Sequence, residues 1–217
     1  ASDVYKRQVD AVELAYRMGC TKFIGAGSQA EYGIHGEKST KPSSILQPID
    51  AYGISKMAAG KLGLLEAKKK KMSFIWVRIF SVYGKYENPN SMIQVTLQKL
   101  LKNENCDFST GTQMWDYLYS SDAGRAFLKL GDSETKNNYY CLGSGNAKPL
   151  KEYIYEMQNI LHSNSKLNFG IIQDNPINRN GMCADITTLT QDTGWVPEVD
   201  FIQGIKWEVE RLRRKMK

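Results

Sequence analysis

Histidine is almost missing. His35 and His162 are the only two in 217 residues, one in a turn-rich loop and one near the end of a helical stretch, so zinc or triad chemistry built on imidazole is poorly supplied. Cysteines 20, 106, 141 and 183 are few and scattered. They make no C-x-x-C pair and have no histidine at ligand spacing, which argues for reduced thiols rather than a metal site or disulfide framework. No apolar run reaches the roughly 18 residues of a membrane span. A cytoplasmic protein with no membrane partner is therefore expected.

A glycine-rich dinucleotide turn opening a helix is also wanting. Gly25-Ala26-Gly27-Ser28-Gln29-Ala30 matches G-x-G-x-x-A after an apolar run, but Glu31 to Glu37 is turn-rich and has no helical period. Gly143-Ser144-Gly145 precedes a helix with Pro149 suited to its first turn. No second strand ending in an acidic residue follows it at the ~20-residue spacing that ribose binding needs. Neither cluster is expected to cradle a pyrophosphate.

The formal net charge is +6, which raises nucleic-acid binding as a class of function. The distribution argues against it. Lys68 to Lys71 ends one helix, and Arg211, Arg213, Arg214, Lys215 and Lys217 end another, where cations complement the helix dipole. No basic stripe interleaved with aromatics is present, so no nucleic-acid partner is expected.

What is present is alternation. With 41% hydrophobic residues the chain can hold a core, and helix 9–19, strand 21–26, helix 50–69 and strand 73–80 predict a parallel sheet. Ser91 caps a helix over 92–101, and further helices fall at 121–131, 149–162, 186–193 and 201–216. Apolar spacing such as Ile154, Met157 and Leu161 is that of core packing.

The chemistry concentrates in Tyr52-Gly-Ile-Ser-Lys56. Y-x-x-x-K on a helix puts the two side chains one turn apart on the same face. A phenol is a poor base at neutral pH, and a neighbouring ammonium stabilises the phenolate. Ser28 stands 24 residues before Tyr52, just past the strand, where a hydroxyl can hold the oxygen that the tyrosine protonates. Y-x-x-x-K by itself also occurs by chance in many helices, so the spacing carries the argument.

Ser28 with Tyr32-Gly33 after it, Pro48-x-x-x-Tyr52-Gly-x-Ser-Lys56, Val77 to Gly84, Trp115-Asp116-Tyr117-Leu118-Tyr119 with Asp122 to Ala126, Tyr139 to Gly145 and Gly194-Trp195-x-Pro197 together resemble the extended short-chain dehydrogenase/reductase family, the NAD(P)-dependent nucleotide-sugar epimerases and dehydratases. The resemblance implies an α/β fold: the C-terminal part of a Rossmann-type doubly wound parallel sheet plus a smaller α/β substrate domain. Residues 9–83 and 114–142 would form a partial Rossmann domain lacking about its first four strands, and 84–113 with 143–217 mainly the substrate domain. Residues 1–8 are expected to be a non-native or disordered start. A truncated sheet would expose a strand edge, and the piece alone is expected to be inactive because the pyrophosphate turn is absent.

The resemblance also assigns roles. Tyr52 is the acid/base; Lys56 holds the nicotinamide ribose of NAD or NADP and tunes Tyr52; Ser28 orients the C4 oxygen of a nucleotide-diphosphate sugar. Phe80 and Ser81 border nicotinamide and substrate, with Gln29 beside them. Ser81 stands where many relatives have asparagine, and Trp115 where many have arginine; Arg179 is the candidate to supply the missing charge. The 4,6-dehydratases carry an acidic pair where this chain has Gln29 and Ala30. Glu31, one place on along an extended segment, would point the other way, which favours a 4-epimerase or 4-ketoreductase. The full-length enzyme would be a possible homodimer. A non-catalytic binding or scaffold module is the alternative, though Ser28, Tyr52 and Lys56 are all kept.

Overall fold

A computed structural model describes residues 2–34, 39–174 and 182–215. In chain order the elements are α1 (Ser2–Arg17), β1 (Lys22–Ser28), α2 (Ala51–Lys69), β2 (Ser73–Ile79), β3 (Ser81–Tyr83), α3 (Met92–Leu101), β4 (Cys106–Asp107), β5 (Met114–Trp115) and β6 (Tyr117–Tyr119). Then follow α4 (Ser120–Asp132), β7 (Tyr139–Leu142), β8 (Lys148–Pro149), α5 (Leu150–Leu161), β9 (Leu167–Asn168), α6 (Thr187–Thr193) and α7 (Phe201–Lys215). The α/β alternation expected from the sequence is present.

The largest boundary difference is at the first helix, which starts at Ser2 rather than at Val9. Gly19, at φ 81, supplies the left-handed turn into β1.

β1, β2 and β7 form a parallel sheet in the order β1-β2-β7. β2 shows why the sheet is covered twice. Its residues alternate between faces, so Phe74 and Trp76 pack with Val12, Ala59 and Ala67 of α1 and α2. Ile75 and Val77 pack with Ala126, Leu130, Leu189 and Trp195 on the other side. Such two-sided burial is what a doubly wound sheet requires. After Phe80 the chain continues as β3, paired in parallel with β6.

A separate core holds Tyr83, Ile93, Leu97, Phe108, Tyr153, Met157, Phe201 and Ile205. It joins α3, α5 and α7 beyond the sheet. Local signals set the helix ends: Asp50 accepts from the Gly53 amide at 2.7 Å, and Ser91 from the Gln94 amide at 3.2 Å, both N-caps that satisfy otherwise orphaned donors. No helix among the described residues is long and apolar enough to cross a membrane.

Candidate active site

The carboxyl end of β1 is the place to look for chemistry in an open parallel sheet. Ser28 is its last residue and the N-cap of a 3-10 turn over Gln29–Glu31. Its Oγ accepts from the Ala30 amide at 3.2 Å, which leaves the hydroxyl proton for another acceptor. The segment after Ser28 is therefore a tight turn, not the extended segment expected from the sequence.

The first turn of α2 docks onto it. A Cβ on Gly53 would lie 2.3 Å from the Ala30 carbonyl oxygen, so only glycine lets the first turn of α2 come this close. Tyr52 is 57% exposed, and Lys56 Nζ lies 5.9 Å from its ring centroid. Lys56 donates to the Ala26 carbonyl at 2.9 Å, two residues before Ser28. Thus the helix carrying Tyr52 and Lys56 is tied to the strand that ends in Ser28, and the Lys56 ammonium retains two protons for other acceptors.

Gln29, half-buried, opens the 3-10 turn. Phe80 is buried with Tyr32 and Ala184, so its ring belongs to the core, while Ser81 beside it is half-buried at the start of β3. Arg179 lies outside the described residues. Trp115 packs 6.2 Å from the Tyr117 ring, centroid to centroid, against the second core.

Both glycine clusters have other employment. Cβ atoms on Gly25 and Gly27 would come within 2.5 Å and 2.4 Å of the Trp76 indole; the two glycines are a seat for that ring. The Ser144 and Gly145 amides do bind an anion, but it is the buried carboxylate of Asp116, at 2.6 and 3.1 Å, which also accepts from Ala184 N–H at 2.9 Å. Both glycine clusters are thus filled by the chain's own groups, whereas the spare Lys56 donors and the Ser28 hydroxyl proton at the end of β1 are of the kind that ribose and carbonyl oxygens accept.

Sequence reasoning missed two features. The first is the environment of Glu31, which is 1% exposed and ion-paired to Arg78 at 2.8 Å. A lone arginine inside the buried strand 73–79 was the available signal, since buried charges demand partners. Burial pushes the Tyr32 phenol next to it well above its ordinary value, so Tyr32 is no base. The second is a cavity of about 440 Å³ lined by Met92, Val95, Phe108, Gln113, Leu150 and Ile172. Residues of the β1 end do not line it; its walls come from four separate segments, which no local pattern announces.

The match to known families decides the relationship: residues 4–143 fit the NAD dependent epimerase/dehydratase family, well over half of the chain. The chain belongs to that family. Among relatives of this epimerase/dehydratase chain, a mouse dTDP-D-glucose 4,6-dehydratase is 28% identical over 213 residues, covering 94% of this chain and 59% of the relative. An Escherichia coli dTDP-4-dehydro-6-deoxyglucose reductase is 29% identical over 208 residues, covering 92% and 64%. The chain thus spans about three fifths of the length of these relatives. A solved Thermotoga maritima UDP-glucose 4-epimerase with UDP-glucose superposes at TM-score 0.85 with 21% identity, covering 97% of this chain and 69% of that one. A Bacillus cereus UDP-glucuronic acid 4-epimerase in complex with UDP-glucuronic acid and NAD gives 0.86 with 20% identity, covering 98% and 68%. These likenesses establish the Rossmann-type fold.

Proposed function

We propose that the protein is an NAD(P)-dependent nucleotide-sugar oxidoreductase that moves hydride at the sugar C4, as a 4-epimerase or 4-ketoreductase. The observation that carries this is the tie from Lys56 to the Ala26 carbonyl, because it anchors the helix that carries Tyr52 to the strand that ends in Ser28. A bound nicotinamide supplies the hydride acceptor or donor. Ser28 donates its hydroxyl proton as a hydrogen bond to the C4 oxygen. Tyr52 takes that oxygen's proton when the alcohol is oxidised and returns one when the ketone is reduced, a positioned transfer worth roughly 10²–10⁴ in rate. Lys56 has donors to spare for ribose hydroxyls.

Dehydration needs a base to remove the C5 proton and an acid to protonate the departing C6 hydroxyl. Gln29 and Ala30 offer neither, and the Glu31 carboxylate faces Arg78 and Trp76 in the core. A 4,6-dehydratase and a reductase are about equally similar to the chain, so this choice rests on residues 29–31. The apolar and amide-lined cavity beside α3 would take the nucleotide end, with Ser81 toward the diphosphate and the backbone of Phe80 toward the nicotinamide. By the same reading residues 84–113 and 143–217 form most of the substrate domain. The enzyme is cytoplasmic, and pairs through the apolar residues that α1 and α2 leave exposed, Leu14, Ile54, Leu62 and Leu65.

The test is Tyr52→Phe in the product of the complete reading frame, assayed with UDP-glucose and NAD+ and with a dTDP-4-keto-6-deoxyhexose and NADPH. Turnover should fall at least about 100-fold with the melting temperature unchanged. Full turnover in the variant would dismiss the acid/base assignment.

A further inference from the structure

The ion pair beneath Ser28 takes no part in the chemistry just described, yet it is built with care. Glu31 Oε1 accepts from the Ser28 amide at 3.0 Å and from Trp76 Nε1 at 2.8 Å. Glu31 Oε2 accepts from Arg78 Nε at 2.8 Å. Arg78 Nη1 donates to the Tyr32 hydroxyl at 3.0 Å and the Pro42 carbonyl at 2.8 Å. Its guanidinium lies between the Tyr32 and Tyr139 rings, 4.9 and 4.8 Å from their centroids. Two charges removed from water are tolerable only with such geometry, and an apolar pair of like volume is often no less stable.

The geometry points to Glu31 as a positioning residue for Ser28, held in place by Arg78 and Trp76; the inference rests on Ser28 being the residue that orients the reacting oxygen. Ser28 and Glu31 form a reciprocal capping box. In one half the Ser28 hydroxyl receives a turn amide; in the other the Glu31 carboxylate grips the Ser28 amide from inside the core. The first half orients the hydroxyl, and the second stops the residue from rotating about the end of β1. Trp76 and Arg78 come from the neighbouring strand, so the strand pairing itself sets where the carboxylate stands. A displacement of about 1 Å at a reacting group costs on the order of 10² in rate, so a grip of this kind shows in kcat.

Glu31→Leu combined with Arg78→Met removes both charges and strands neither. In the complete protein, with nucleotide sugar and NAD(H) as probes, this pair should stay folded and lose kcat by on the order of 10- to 100-fold, with KM nearly unchanged. Glu31→Gln with Arg78→Met keeps an oxygen to accept the Ser28 amide and should regain most of the loss. A folded Leu/Met pair with wild-type kcat, or a Gln/Met pair no better than it, overturns the proposal. Should the Leu/Met pair fail to fold, Trp76→Phe removes one anchor of the same carboxylate oxygen; a several-fold fall in kcat at constant KM supports the inference and wild-type kcat sinks it. Ser28→Ala separates the underlying reading. If that variant keeps full turnover, Ser28 is not catalytic, and hydrogen exchange at the Ser28 amide then decides: protection lost in Leu/Met and regained in Gln/Met supports the grip, and unchanged protection refutes it.

Discussion

Lys56 donates to the carbonyl oxygen of Ala26 at 2.9 Å, so the helix carrying Tyr52 is anchored to the strand that ends in Ser28. The cation is held by a backbone atom, which no substitution of a neighbouring side chain removes. Lys56→Met should therefore lower kcat by on the order of 10² or more while the fold persists. Lys56→Arg should recover little, because a planar guanidinium cannot replace a compact ammonium at a carbonyl and a ribose together. Steady-state kinetics on the complete protein, with circular dichroism as a fold control, checks both.

Gly27 is a seat for an indole. A methyl there would meet Trp76 Nε1 at 2.4 Å and Glu31 Oε1 at 2.5 Å, so Gly27→Ala should cost about 1–3 kcal/mol through overpacking. Adding Trp76→Phe should give back part of that loss, a non-additivity expected of residues in contact. Urea unfolding of the two single variants and the double variant measures it.

The four thiols should differ in reactivity. Burial pushes the Cys141 thiol up to about 12, and burial raises Cys106 and Cys183 as well, whereas Cys20 is exposed. A disulfide reagent at pH 8 should label Cys20 first and leave Cys141 until the protein unfolds. Early labelling of Cys141 would contradict its packing against Tyr32.

Burial pushes the Asp192 carboxyl up, but donors from the Tyr140 hydroxyl at 2.5 Å and Asn137 Nδ2 at 2.9 Å outweigh it and hold the group below its ordinary value. A carboxylate depressed in the folded state contributes stability that is full above its unfolded value and is lost as pH falls through the folded one. Asp192→Asn should therefore be less stable than the parent at neutral pH, and the difference should shrink below about pH 4. Melting temperatures across pH 2.5–7, roughly the range in which carboxyls titrate, test the sign.

Helix ends and the two longest strands were legible because their signals are local. Asp50 and Ser91 cap within three residues of their own amides, and the buried run over 73–79 needs only its neighbours to read as a strand. The Ser28, Tyr52 and Lys56 set was legible because its spacing is short and its residue types are chemical. Glu31 was placed away from the site for the wrong reason: it is turned inward by a 3-10 turn and an arginine, not by alternation on an extended strand. The first helix was expected from Val9 because residues 2–8 show no pattern continuous with the amphipathic one that follows; it starts at Ser2.

Sequence by itself determined the order of the helices, the two longest strands of the sheet, the family, and the candidate groups for moving a proton, since each of these follows from local periodicity, capping and residue type. Tertiary structure alone decided what those groups touch. Trp76 and Arg78 reach Glu31 from 45 and 47 residues away, and Asp116 meets Ala184 across 68. Contacts of that separation arise only when strands pair and both faces of the sheet close, and only then do two glycines become the seat of an indole rather than the cradle of a phosphate.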